Sequence, residues 1–131
     1  MPITISVWDE VIPGKRVAAE SVTVAQAFTT ARELIRSRVQ QEVERHNQCL
    51  PEVFRGLVQP EESEQILNGF RLRTPRPLDW DVQFRKACSS FERNGFLLLV
   101  DGRQITDLDE QIALQPDTEI EFVKLVPLVG G

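Results

Sequence analysis

Between residues 24 and 43 a single apolar stripe, made of Val24, Ala27, Phe28, Ala31, Leu34, Ile35, Val39 and Val43, recurs at the three- and four-residue spacing of an amphipathic helix. Thr23 and Gln26 make a capping-box pair at its start. The pattern holds to about His46, which predicts a helix roughly 35 Å long at 1.5 Å rise per residue. A six-residue strand spans only about 20 Å. A helix of that length overhangs any sheet of ordinary strands, so its last turns need cover from elsewhere in the chain. The 131 residues are enough for one domain around one core. At 41% hydrophobic and 27% charged, the composition is that of a folded globular chain.

The flanks of the stripe read as strands. Ile3, Ile5 and Val7 alternate with Thr4, Ser6 and Trp8, the period of a half-buried strand. Pro13-Gly14 breaks it, and residues 15–22 read as the return strand of a hairpin. Residues 47–94 form a long block, of which 47–77, punctuated by Pro51, Pro60, Pro75 and Pro77, is the candidate cover for the helix end. Within it, residues 61–68 suit a short helix stopped by Gly69. A second helix follows Asp79 as N-cap, carries Trp80, Phe84, Ala87, Cys88 and Phe91 on one face, and stops at Gly95. The block reads as a mostly helical elaboration within one domain spanning residues 1–131.

After Gly95 strands return. Residues 96–100 are continuously apolar, as in a strand buried on both faces. Asp101-Gly102 is a two-residue hairpin signal leading into Arg103-Gln104-Ile105. Leu108, Ile112 and Leu114 punctuate a compact polar loop, residues 115–118 make a turn, and residues 119–126 form a last strand. The fold class expected is α+β, a mixed sheet packed on one long helix.

Charge and patterning exclude several functions. A net charge of −5 argues against binding nucleic acid or an anionic membrane non-specifically. No apolar run approaches the length needed to span a bilayer. Met1-Pro2-Ile3-Thr4 leads directly into a strand pattern with no room for a signal peptide, so the expected compartment is the cytoplasm, where Cys49 and Cys88 stay reduced. His46 and Cys49 stand three apart, but one His and two Cys fall short of a structural zinc set, and a surface turn is the plainer reading. No metal site is expected. Arg71, Arg73 and Arg76 lie in a proline-bounded loop suited to solvent, an acidic partner surface or a phosphate. Asp107, Asp109 and Glu110 read as a hydrated loop. If Ile120 and Phe122 face the core, alternation turns Val123 and Leu125 outward, either as a docking patch or as a surface for the inserted block to cover.

The chain ends Leu125-Val126-Pro127-Leu128-Val129-Gly130-Gly131. Glycine has no Cβ, so such a tail fits a narrow channel and leaves its last carbonyl open to attack. At neutral pH the carboxylate is an unreactive anion until another enzyme activates it. Hairpin, helix, elaboration, hairpin, loop and a terminal strand before Gly-Gly resembles the ubiquitin-like β-grasp family. The resemblance is carried by residues 1–46 and, above all, by Phe96-Leu97-Leu98-Leu99-Val100-Asp101-Gly102-Arg103-Gln104-Ile105, by Leu108-Asp109-Glu110-Gln111-Ile112 and by Asp117-Thr118-Glu119-Ile120-Glu121-Phe122. The Pro-containing tail is similar to those of bacterial sulfur carriers. Two departures stand out: the block 47–94 is far longer than in ubiquitin or the small carriers, and Pro127, Leu128 and Val129 stand where ubiquitin has a basic tail.

The resemblance implies that the chain is no enzyme and binds no cofactor of its own. Gly131 supplies a carboxyl and Gly130 the slim approach to it, and an E1-like enzyme adenylates that carboxyl with ATP. Val123, Leu125, Val126, Pro127, Leu128 and Val129 become the partner-binding residues. Three routes stay open: a protein modifier passed as a thioester, through an E2-like enzyme, to target lysines and released by a deconjugating protease; a sulfur carrier bearing a C-terminal thiocarboxylate; or a non-covalent β-grasp binding module.

Overall fold

The alternation at the start of the chain becomes strand β1 (Ile3–Ile12), with Ile5 and Val7 buried on one side and Trp8 half-buried on the other. A computed structural model describes residues 2–12, 14–66 and 69–125. The expected return strand over 15–22 is two strands. β2 (Lys15–Ala18) pairs antiparallel with the second half of β1, with a register shift between Glu10 and Ile12. β3 (Val22–Val24) pairs with the first half, Ile3 opposite Val24.

The apolar stripe that opens at Val24 is not one helix. Val22 and Val24 are buried at alternate positions of β3, so the start of the stripe satisfies a period of two. β4 (Phe28–Thr30) follows and leaves Phe28 76% exposed. Helix α1 (Ala31–Cys49) begins only after Thr30, whose hydroxyl accepts from the Glu33 amide at 3.2 Å. The N-cap is thus Thr30, and Thr23 and Gln26 lie outside the helix. With 19 residues α1 is about 28 Å long, shorter than expected at the front and longer at the back. It ends where Leu50 adopts φ 47°, its amide donating to the His46 carbonyl at 2.8 Å.

The inserted block differs most from expectation. It is a three-stranded antiparallel sheet followed by one helix. β5 (Val53–Phe54), β6 (Ser63–Ile66) and β7 (Gly69–Leu72) lie in the order β5-β7-β6. The short helix expected over 61–68 is replaced by β6: Glu62 has φ 52°, outside the helical region, and Gln65 pairs with Phe70. Gly69 is no helix stop. It sits at φ 154°, where a Cβ would stand 2.8 Å from the Phe54 carbonyl oxygen, so only glycine lets β7 approach β5. Helix α2 (Trp80–Glu92) keeps to its signals, with Asp79 accepting from the amides of Asp81 and Val82 at 2.9 and 3.4 Å. Phe84, Ala87, Cys88 and Phe91 are buried as the spacing requires.

β8 (Phe96–Val100) and β9 (Arg103–Ile105) form the expected hairpin, with Asp101 and Gly102 both at positive φ, 49° and 82°. β8 is buried on one face only, Leu97 and Leu99 being half-buried on the other. In the loop beyond, Leu108, Ile112 and Leu114 are buried, and β10 (Gln111–Ala113) pairs with β4. β11 (Glu119–Lys124) then lies parallel to β1 and antiparallel to β8, giving a mixed sheet β2-β1-β11-β8-β9 with β3 also on β1. The architecture is α+β, a mixed sheet with two helices. Leu34, Ile35, Val39 and Val43 of α1 share one core with Ile5, Leu98, Ile120 and Phe122 of the sheet and with Phe54, Leu57, Phe84 and Phe91 of the block. Among the described residues no helix is long and apolar enough to cross a membrane.

Candidate functional site

β11 is the strand that leads to the tail, and its two faces lie in different chemistry. Ile120 and Phe122 point into the core, and Lys124, next on that side, points into a buried ionic cluster. Arg38 of α1, 5% exposed, holds Asp9 of β1 through both guanidinium Nη atoms, at 2.5 and 2.7 Å. Its Nε donates to Glu42 at 3.3 Å, and its guanidinium carbon stands 4.5 Å from the centre of the Phe122 ring. Lys124 Nζ stands 3.8 Å from Asp9 and donates to the Gly56 carbonyl at 3.1 Å, while Glu42 accepts from the Leu57 amide at 3.3 Å.

Two cations and two carboxylates therefore neutralise one another where sheet, helix and inserted block meet. Burial opposes the charge on Arg38, but Glu42 and Asp9 outweigh it and hold the guanidinium protonated. Burial pushes the Glu42 carboxyl up against the pull of Arg38 and Lys124. Burial, with Arg38 beside it, pushes Lys124 down. The cluster fixes β11 and the block against α1, a positioning role.

The other face carries the accessible chemistry. Val123 is half-buried, flanked by Leu97 on β8 and Glu10 on β1; in the next row Glu121 lies between Leu99 and Trp8. Trp8, Leu97, Leu99 and Val123 thus form an apolar patch on the side of the sheet away from α1, and none of them belongs to the core cluster or packs against it. Arg16 lies over the Trp8 ring at 4.2 Å and pairs with Glu119 at 3.3 Å, giving the patch a charged border. Leu125, 50% exposed, follows β11, its amide 3.4 Å from the Gly95 carbonyl oxygen.

Of the residues expected to bind partners, Val123 and Leu125 are both accessible, Val123 in the patch and Leu125 beside a groove between α2 and the small sheet. Val126, Pro127, Leu128, Val129, Gly130 and Gly131 lie outside the described residues. Trp8, Leu97 and Leu99 were missed. For Leu97 and Leu99 the signal is a five-residue apolar run in a sheet with one covered face, which must leave every second side chain on the other, and for Trp8 it is the alternation of β1. The remaining constellations stay apart. His46 is no surface residue: it is buried at the end of α1, edge-on to Phe54 at 5.4 Å and bonded through Nε2 to the Arg76 carbonyl at 2.9 Å, while Cys49 is exposed. Arg71 pairs with Glu64 across β6 and β7. Asp109 pairs with Arg32, and Glu110 with Arg103. Among the described residues no group of three or more His, Cys, Asp or Glu is placed to hold a metal ion. No family model, curated protein or solved structure matches this chain.

Proposed function

We propose that the chain is a ubiquitin-like β-grasp protein modifier, one domain over residues 1–131, in which 47–94 is an elaboration. In this reading an E1-like enzyme adenylates the Gly131 carboxylate with ATP, a thioester follows, and the acyl group passes to lysines of target proteins. The observation that carries the reading is the central parallel pair of β1 and β11, flanked by two hairpins and covered on one face by α1. That is the arrangement a β-grasp needs to send its last strand out toward a free tail. The outward patch of Trp8, Leu97, Leu99 and Val123 supports it, because an activating enzyme must grip the body while it handles the tail.

A second reading, a sulfur carrier, is favoured by the tail sequence Val126-Pro127-Leu128-Val129-Gly130-Gly131. The small sheet and α2 weigh against it, since they enlarge the body that would dock on a synthase. Incubating the full chain with ATP and a cognate E1-like enzyme, then measuring intact masses, separates the two. Isopeptide-linked products support the modifier, and a mass gain equal to replacing one oxygen by sulfur supports the carrier. If neither forms and deleting Gly131 leaves cellular activity unchanged, both covalent readings fail and a binding module remains.

A further inference from the structure

A groove of about 850 Å³ opens between β6 and β7, the C-terminal half of α2, and the ends of β1 and β11. Its charge runs against that of the whole chain. Arg55, Arg85, Lys86, Arg93 and Lys124 line it, five of the chain's fifteen basic residues, against Asp9 alone of its twenty acidic ones. In a chain of net charge −5, a lining drawn at random would carry more carboxylates than cations. Lys124 and Asp9 are engaged with each other. Arg85 pairs with Asp81 at 2.8 Å and Lys86 lies 3.9 Å from Glu61, both carboxylates outside the lining. Arg55 and Arg93 are exposed and, among the described residues, make no ion pair.

The helical period explains the wall. Arg85, Ser89 and Arg93 succeed one another at four-residue steps on the side of α2 opposite Phe84, Ala87, Cys88 and Phe91. Burial of the apolar face against α1 therefore turns a row of cations toward the groove. Between the cations the surface is mixed: Val58 and Phe70 are half-buried and Leu125 is exposed, beside Gln59, Gln65 and Ser89.

We propose that this groove binds an acidic segment of a partner protein, in which Asp or Glu residues alternate with Leu, Ile, Val or Phe anchors. Cations at the wall fit the carboxylates, and the apolar side chains between them fit the anchors. Nucleic acid fits less well. Of the two aromatic residues in the lining Phe96 is buried and Phe70 half-buried, so no open ring is offered for base stacking. The inference stands apart from the chemistry of Gly131.

The test is selection from a random dodecapeptide display library on the immobilised full chain at about 150 mM salt, where loose surface attraction is screened. The winning consensus peptide is then synthesised with a fluorophore and titrated by anisotropy. An acidic, apolar-anchored consensus is expected, binding the Arg55→Glu/Arg93→Glu double variant at least about tenfold more weakly. Arg55→Gln/Arg93→Gln should show a smaller loss in the same direction, and Arg45→Glu, outside the groove, none. Circular dichroism and urea midpoints check that each variant is folded. The proposal is overturned if no peptide is enriched, if the enriched peptides lack acidic residues, or if binding survives both double variants. It is equally overturned if a single-stranded oligonucleotide binds the wild type more tightly than the peptide and loses affinity in the double variants.

Discussion

The two faces of the mixed sheet are built from the same strands, yet they differ in what they ask of a side chain. On the helix side Ile5, Val7, Leu98, Ile120 and Phe122 are all buried, each fixed by α1 and by its neighbours. On the far side Trp8, Leu97, Leu99 and Val123 are half-buried in rows set only by strand register. The first face determines that the chain folds. The second is largely free of that duty, and under the proposed function its apolar side chains are the surface offered to an activating enzyme.

The sharpest way to break that contrast is to truncate one residue on each face. Phe122→Ala should cost about 4 kcal/mol in urea unfolding, since it removes a buried ring that packs on Phe96 and supports Arg38. Next in size is Arg38→Leu, expected to cost about 3 kcal/mol because it leaves Asp9 and Glu42 buried with Lys124 as their remaining cation. A result near zero would mean that the inserted block, not the ion cluster, sets the seat of β11.

A smaller effect concerns pH. The folded chain holds the Glu42 proton to higher pH than the unfolded chain, because burial raises its pKa. This residue's contribution is therefore complete in acid and is lost as pH climbs from the ordinary carboxylate range through the raised value, the reverse of an exposed salt-bridged carboxylate. Lys124, with its pKa lowered, acts oppositely at the alkaline end: stability rises with pH between its lowered value and the ordinary lysine range. Glu42→Gln should accordingly gain urea midpoint relative to the wild type as pH goes from about 4 to about 7; a constant difference would contradict the assignment. The smallest effect belongs to the open face, where Leu97→Ser and Val123→Ser should each cost about 1 kcal/mol or less. If either matches Phe122→Ala, the patch is structural and the contrast between faces collapses.

How much of this was legible follows from how local each signal is. Asp79 capping α2, the Asp101-Gly102 hairpin and the alternation of β1 rest on neighbours within a few residues, and all three are present in the fold. The front of α1 was misread because Val24, Ala27 and Phe28 satisfy a helical period by coincidence. Pairing of β3 with β1 and of β4 with β10, partners far off in the chain, decides those residues instead. The small sheet was illegible for the same reason: β6 is made by β7, and Glu64 and Gln65 are ordinary helix formers when read alone. At the site, the outward turn of Val123 followed from parity along one strand. Grouping Trp8, Leu97 and Leu99 with it needed knowledge of which strands lie side by side. The ion cluster draws Asp9 from β1, Arg38 and Glu42 from α1 and Lys124 from β11; the four-residue spacing of Arg38 and Glu42 marks that pair, and nothing in the chain announces the other two.

Ser6 lies beside Glu119, so the strand that begins the chain meets its central partner more than a hundred residues later. Until β11 exists, β1 and β8 have no strand between them, and the hairpins on either side cannot join into one sheet. Completion of the sheet therefore rests on its most sequence-distant pairing, and non-local pairing of this kind forms slowly. A chain lacking β11 would leave β1 and β8 as unpaired edges, open to pairing with another chain.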